Sequence, residues 1–172
     1  MNKYTCTSKV HKIPDVKHSV PEDWITVVAN ETLKPHTFIR DCELHIIMGN
    51  DNILKSLNFK HKGIDDATDV LSFNIEPIDD FVAVDDNTNL SSGIDDFIMP
   101  ESVTGLVGEV IISVEKVISQ SREKGISFDQ ELATLVIHGI LHLLGFDHAD
   151  DQDYQKMQKL ADKAYSAVMN IS

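Results

Sequence analysis

The chain has 172 residues, 42% of them hydrophobic and 25% charged, which suits one soluble globular domain over residues 1–172 and excludes fibrous and intrinsically disordered classes. A formal net charge of −13, taken alone, argues against polyanionic partners, because nucleic-acid binders usually present a basic surface. No apolar run approaches the roughly 20 residues that span a bilayer, and the polar start MNKYTCTSKVHK lacks the apolar segment of a secretory signal, so an intracellular chain with no membrane partner is expected.

Pro21, Glu22 and Asp23 open a predicted helix carrying Trp24, Ile25, Val27 and Val28, with its acids at the positive end of the helix dipole. ELHIIMG, from Glu43 to Gly49, is short, apolar and bounded by polar residues, the pattern of a buried strand. Asn50, Asp51 and Asn52 then offer caps for a short helix with Ile53, Leu54 and Leu57. Lys55, Lys60 and Lys62 gather there beside His61, a local basic patch in an acidic chain. Thr68 to Ile75, reading TDVLSFNI, has the β-branched and aromatic content of a strand.

The segment from Glu76 to Thr104 holds eight acidic residues and no Lys or Arg. It is too polar to bury and too long for an ordinary turn, and predicts a mobile surface insertion at about 76–104. VGEVIIS, beginning at Val107, reads as another strand and leads into the helical pattern VEKVISQSREKG, stopped by Gly125. Ser127 and Gln130 have capping-box spacing before a long apolar helix reaching Leu144. Asp150 or Asp151 caps a last helix striped by Met157, Leu160, Ala164, Tyr165 and Val168. Strands and helices follow one another without regular alternation, which predicts an α+β domain: a small mixed β-sheet packed by helices. Cys6 and Cys42, the only cysteines, read as two reduced thiols.

The chemistry is concentrated in HGILHLLGFDH. His138 and His142 stand four positions apart, so on a helix both imidazoles leave one face about one turn apart. Gly145 then permits the left-handed turn that returns His148 toward them. Three imidazoles suit one Zn²⁺ and leave its fourth position to water, the pattern of a catalytic site. An apolar stretch with three histidines is poorly explained by packing, which prefers side chains without polar atoms to satisfy. The spacing equals that of the HExxHxxGxxH zinc proteases, but Gly139 stands where those enzymes carry their catalytic Glu. Asp147 is either an acceptor orienting a histidine ligand or a plain turn residue.

HGILHLLGFDH, with the upstream LNFKHKGIDDATDVLSF and VGEVIISVEKV, resembles the YbeY family of bacterial endoribonucleases, in the family's segment order. The resemblance implies a single-strand-specific, metal-dependent ribonuclease of the cytoplasm, acting on ribosomal RNA, notably at the 3′ end of 16S RNA, and in ribosome quality control. It puts the family's zinc ligands on His138, His142 and His148. It makes ribosomal proteins plausible partners, and DNA is not expected as one. The family's usual Arg after LNxxx is Lys62 here, a point charge in place of a bidentate fork, readable equally as a phosphate contact or a solvated lysine. The acidic insertion is longer than the family's connection. Ser72 and Asn74 could line the cleft, but a strand residue is more often structural, and neither is assigned a role from sequence. Two other readings stay open: a zinc hydrolase of another bond, such as a peptidase whose base comes from elsewhere, and a non-catalytic ribosome-associated factor with a structural metal.

Overall fold

A computed structural model of the chain describes residues 5–38, 41–75, 105–146 and 151–171. The described residues form nine elements in the order β1 (Cys6–Lys12), α1 (Glu22–Leu33), β2 (Cys42–Gly49), α2 (Asp51–Lys62), β3 (Val70–Asn74), β4 (Leu106–Ser113), α3 (Val114–Lys124), α4 (Phe128–Leu143) and α5 (Asp151–Met169). The strands make one mixed sheet in the order β1-β2-β4-β3, with β1, β2 and β4 parallel and β3 antiparallel to β4. This is the expected α+β architecture. The segment read as an acidic insertion, and the turn holding Asp147 and His148, lie outside the described residues.

The two apolar runs take the centre of the sheet. Every residue of β4 is buried, because β2 and β3 flank it while α4 and α2 approach its two faces. On one face Leu44, Ile46 and Met48 of β2 and Val110 and Ile112 of β4 join Ile25, Val28 and Ala29 of α1 and the apolar side of α4 in the main core. The other face is smaller: Leu54 of α2 packs with Leu71, Phe73 and Ile111.

β1 had no counterpart in the sequence reading. Its residues CTSKVHK alternate between half-buried and exposed, and at the sheet edge only Cys6 and Val10 pack against the main core, so no apolar run announces it. Its register places Cys6 opposite Cys42, and both thiols are free.

Local signals account for most helix ends. The Asn50 side chain accepts from Ile53 N at 3.0 Å. Ser113 caps α3 by accepting from Lys116 N at 3.2 Å. Ser127 and Gln130 close a reciprocal capping box, with Gln130 N donating to Ser127 Oγ at 3.1 Å and Ser127 N to Gln130 Oε1 at 2.9 Å. One buried charge is paired: Glu131, fully inaccessible, receives Lys124 Nζ on both carboxylate oxygens at 2.7 and 2.9 Å.

Two glycines set how closely α4 lies on the sheet. A Cβ on Gly139 would stand 2.9 Å from Val70 Cγ2 and closer still to Val110 Cγ1, and one on Gly108 would collide with the Phe73 carbonyl oxygen and with Leu143 Cδ1. Alanine is the better helix former by about 1 kcal/mol, so the helix position has no reason to be glycine except this contact. Gly139→Ala is expected to lower stability by about 1–3 kcal/mol, the scale of overpacking, and Gly108→Ala by more, because its obstacle is backbone. Urea unfolding of both variants checks the order; two neutral substitutions would show that the helix does not sit this close.

Candidate metal centre

α4 delivers the first two histidines. From Leu135 to Leu144 every residue is buried except His138 and His142, which are half-buried. The helix is therefore sealed on all sides but one, and the two imidazoles occupy that side. Their Nε2 atoms lie 3.0 Å apart, with the rings nearly perpendicular at 86° and centroids 4.4 Å apart. Convergence is what one-turn spacing predicts, and the separation is one that two ligands of a single ion, each about 2.0–2.1 Å from it, can adopt. In place of an ion, a shared proton can bridge two neutral rings, one donating and one accepting. Among the described residues no group of three or more His, Cys, Asp or Glu side chains is assembled to hold a metal. The expected third ligand, His148, and Asp147, read as an acceptor that orients a histidine, fall outside them.

The helix end is shaped to turn the chain back. Gly145 has φ of +86°; its N–H donates to the His142 carbonyl at 2.9 Å and Phe146 N donates to the Leu141 carbonyl at 3.0 Å, the Schellman pairing. The left-handed turn expected at Gly145 is thus present. Asn74 Nδ2 donates to the carbonyl of Leu143, in the last turn of α4, at 2.8 Å. Ser72 Oγ donates to the Gly139 carbonyl at 2.8 Å. Alternate residues of β3 therefore tie α4 down at the residue after each histidine, Gly139 after His138 and Leu143 after His142. Ser72 and Asn74 act on the helix backbone, holding the histidines in place.

Gly139 takes on a different meaning. The sequence reading treats it as the absent catalytic Glu of a zinc protease, yet its Cα faces Val110 and Val70 with no room for any side chain. Position 139 is a packing contact, and a carboxylate there would have to displace the sheet.

Lys62 ends α2 and is exposed. α2 meets β3 from the face opposite α4: the His61 ring packs against Phe73 with centroids 4.8 Å apart and the planes tilted by 49°, while Ser72 and Asn74 on either side of Phe73 reach α4. One edge strand thus lies between the basic helix end and the histidine pair.

Glu109 escaped sequence reading because it looks like one polar residue inside VGEVIIS. The register sets Lys9, His45, Glu109 and Phe73 in one row across all four strands. Glu109 is 5% exposed and its Oε2 has no hydrogen-bond partner. Desolvation pushes its carboxyl above the usual carboxylate range, partly opposed by nearby His45. Beside it, Glu43 accepts from Lys9 at 2.9 Å and from His45 Nε2 at 2.8 Å.

The α+β domain thus presents two convergent imidazoles at the half-open end of a core helix. The family model described as Endoribonuclease YbeY matches residues 5–169. Curated relatives bearing that same description include one from Dehalococcoides mccartyi, 34% identical over 92% of this chain and 94% of its own. Another, from Heliobacterium modesticaldum, is 36% identical over 73% and 69%, and a third, from Lachnoclostridium phytofermentans, 30% over 89% and 92%. A Thermotoga maritima protein solved in solution has a similar fold, with a TM-score of 0.52 at 23% identity over 95% of this chain and 92% of its own. The chain belongs to the YbeY endoribonuclease family, whose role is in ribosomal RNA processing.

The buried acid gives a pH test. A carboxyl whose folded-state pKa is raised favours the fold when protonated, so its contribution is complete below the ordinary Glu range and is lost as pH rises through the elevated value. Glu109→Gln removes that loss. At pH 7 the variant is expected to be more stable than the parent by about 1–3 kcal/mol, the cost of a buried unsatisfied group, with the difference vanishing below the ordinary carboxylate range. Denaturation midpoints at several pH values check this, and a difference that grows toward acid would refute it.

Proposed function

We propose that the chain is a zinc-dependent endoribonuclease of the cytoplasm that cuts single-stranded RNA in ribosomal RNA maturation, at the 3′ end of 16S RNA, and in ribosome quality control, with ribosomal proteins as neighbours. The observation that carries the reading is the pair of Nε2 atoms 3.0 Å apart at the half-open end of α4, in a chain of an endoribonuclease family. His138 and His142, with His148 arriving from the turn after Gly145, are the proposed ligands, and Asp147 the acceptor that orients one of them. No helix of the described residues is long and apolar enough to cross a membrane.

A zinc ion held there by His138, His142 and His148 would supply Lewis-acid stabilisation of charge on phosphoryl oxygens and a water of lowered pKa. The chain's own part is positioning. Ser72 and Asn74 fix the backbone beside each histidine, so the two donors are held before any ligand arrives and little ordering entropy remains to be lost. Both rings must be neutral to donate a lone pair, so binding weakens as pH falls through the imidazole range. Lys62 meets a phosphate as a point charge, which attracts but does not fix orientation as an Arg fork does. A peptidase would have to draw its base from elsewhere, because a carboxylate at position 139 has no space beside Val110 and Val70.

The purified protein is expected to hold about one zinc per chain by elemental analysis and to cut single-stranded RNA, with both lost on chelation. His142→Ala should lower zinc content and reduce cleavage by at least about 100-fold, the upper scale seen even for outer partners of metal ligands. Cleavage at the parent rate in that variant would sink the assignment, and an intact peptide library beside cut RNA would exclude the peptidase.

The nucleophile can be read from the products. Ends bearing a 5′-phosphate indicate attack by water, whereas cyclic phosphates indicate the RNA's own 2′-hydroxyl. Water is the expectation here, checked by end-labelling of the fragments.

A further inference from the structure

α2 buries Leu54 and Asn58 against the sheet and turns a different stripe to solvent. Lys55, Phe59 and Lys62 are all exposed, and their spacings of four and three residues make them neighbours along one helix face, over roughly 10 Å. Phe59 is 60% exposed and Ile64, just past the helix, 51%. A lone exposed apolar side chain needs no explanation. This one is flanked by ammonium groups in a run from Lys55 to Gly63 without a single acid, within a chain of net charge −13.

The local charge is complementary to a polyanion, and a ring between cations is the arrangement by which single-stranded nucleic acid is held: bases stack on aromatic faces while basic groups follow the backbone. The helix that carries the stripe is linked to the histidine helix through β3. His61 anchors the helix terminus on Phe73, and the residues on either side of Phe73 hold the histidine helix. A second copy of the chain fits poorly, because pairing this stripe with itself sets lysines against lysines. Lys55 also meets Asp65 at 3.3 Å, but both side chains are exposed, and such pairs yield readily to a competing anion.

We infer that the Lys55–Phe59–Lys62 stripe of α2 is a stacking platform for single-stranded RNA, with the Phe59 ring on an unpaired base and the two ammonium groups on flanking phosphates. The inference rests on the endoribonuclease reading and adds a place where substrate is gripped.

The test measures binding of the intact zinc-loaded enzyme to a labelled oligouridylate carrying 2′-O-methyl and phosphorothioate groups, which resist cleavage. Phe59→Ala is expected to weaken binding about tenfold, the lower part of the range for loss of one base–aromatic stack. Phe59→Tyr should bind as the parent does, and Phe59→Leu should bind as weakly as the alanine variant. On cuttable RNA, Phe59→Ala should raise KM with kcat held, and its melting temperature should match the parent's because the ring is mostly in solvent. Lys55→Gln and Lys62→Gln should flatten the salt dependence, and Phe59→Ala should leave its slope unchanged. Parent-like binding by the leucine or alanine variant overturns the inference, as does a change in sedimentation on losing Phe59 without a change in RNA affinity. An enzyme that binds with this order of variants but cuts no RNA leaves the platform standing and refutes the catalytic reading instead.

Discussion

The contact on which the site depends is the close seating of α4 on β3 and β4. Gly139 on the helix and Gly108 on the strand bring the two backbones nearer than any side chain allows. Interiors are packed to near-crystalline density, so such an approach cannot be varied continuously. The seating fixes the height of the helix over the sheet, and with it where His138 and His142 emerge. Around them Leu135, Val136, Ile137, Ile140, Leu141 and Leu143 are buried, which leaves the imidazoles one direction in which to reach polar surroundings. Two rings held with their Nε2 atoms in hydrogen-bond contact are costly to bury unless a proton or a cation lies between them, and the fold meets that cost by leaving this end half-open.

β3 carries more of the arrangement than its five residues suggest. Its period-2 alternation sends Ser72 and Asn74 to the backbone of α4 and Leu71 and Phe73 to the α2 side. A slip of one residue would exchange those faces, putting two hydrogen-bonding side chains into the small apolar cluster and two large apolar ones against helix carbonyls. Register here is therefore specified from both sides, and the histidine helix and the basic helix are held in fixed relation by one strand.

Legibility followed the range of the interactions. The asparagine cap of α2, the capping box of α4, the apolar runs of β2 and β4 and the turn at Gly145 are local patterns, and each stands where the residues indicated. The histidine pair was legible for the same reason, since helical spacing alone sets convergence. What depends on partners distant in sequence was not legible. β1 is an edge strand with one aliphatic residue turned to the core, and only its pairing with β2 makes it a strand. Gly139 looked like a missing base because chemistry was the only reason for it visible in the sequence; the valines that explain it are 29 and 69 positions away. Ser72 and Asn74 gained their roles only once α4 lay beside them. The row from Lys9 through His45 and Glu109 to Phe73 exists only in the assembled sheet.

Charge completes the argument about substrate. Eight acids between Glu76 and Thr104 account for more than half of the net charge of −13, while the end of α2 gathers Lys60, His61 and Lys62. At physiological ionic strength exposed charges more than about 8 Å apart are largely screened, so an approaching phosphate responds to the lysines it meets rather than to the sum over the chain. The sum still acts, by disfavouring indiscriminate adhesion to duplex nucleic acid, whose affinity comes from many simultaneous phosphate contacts. An acidic protein with a small basic face on α2 is thus suited to a strand that offers few phosphates at a time together with accessible bases. Those are the features of an unpaired RNA end and not of a duplex.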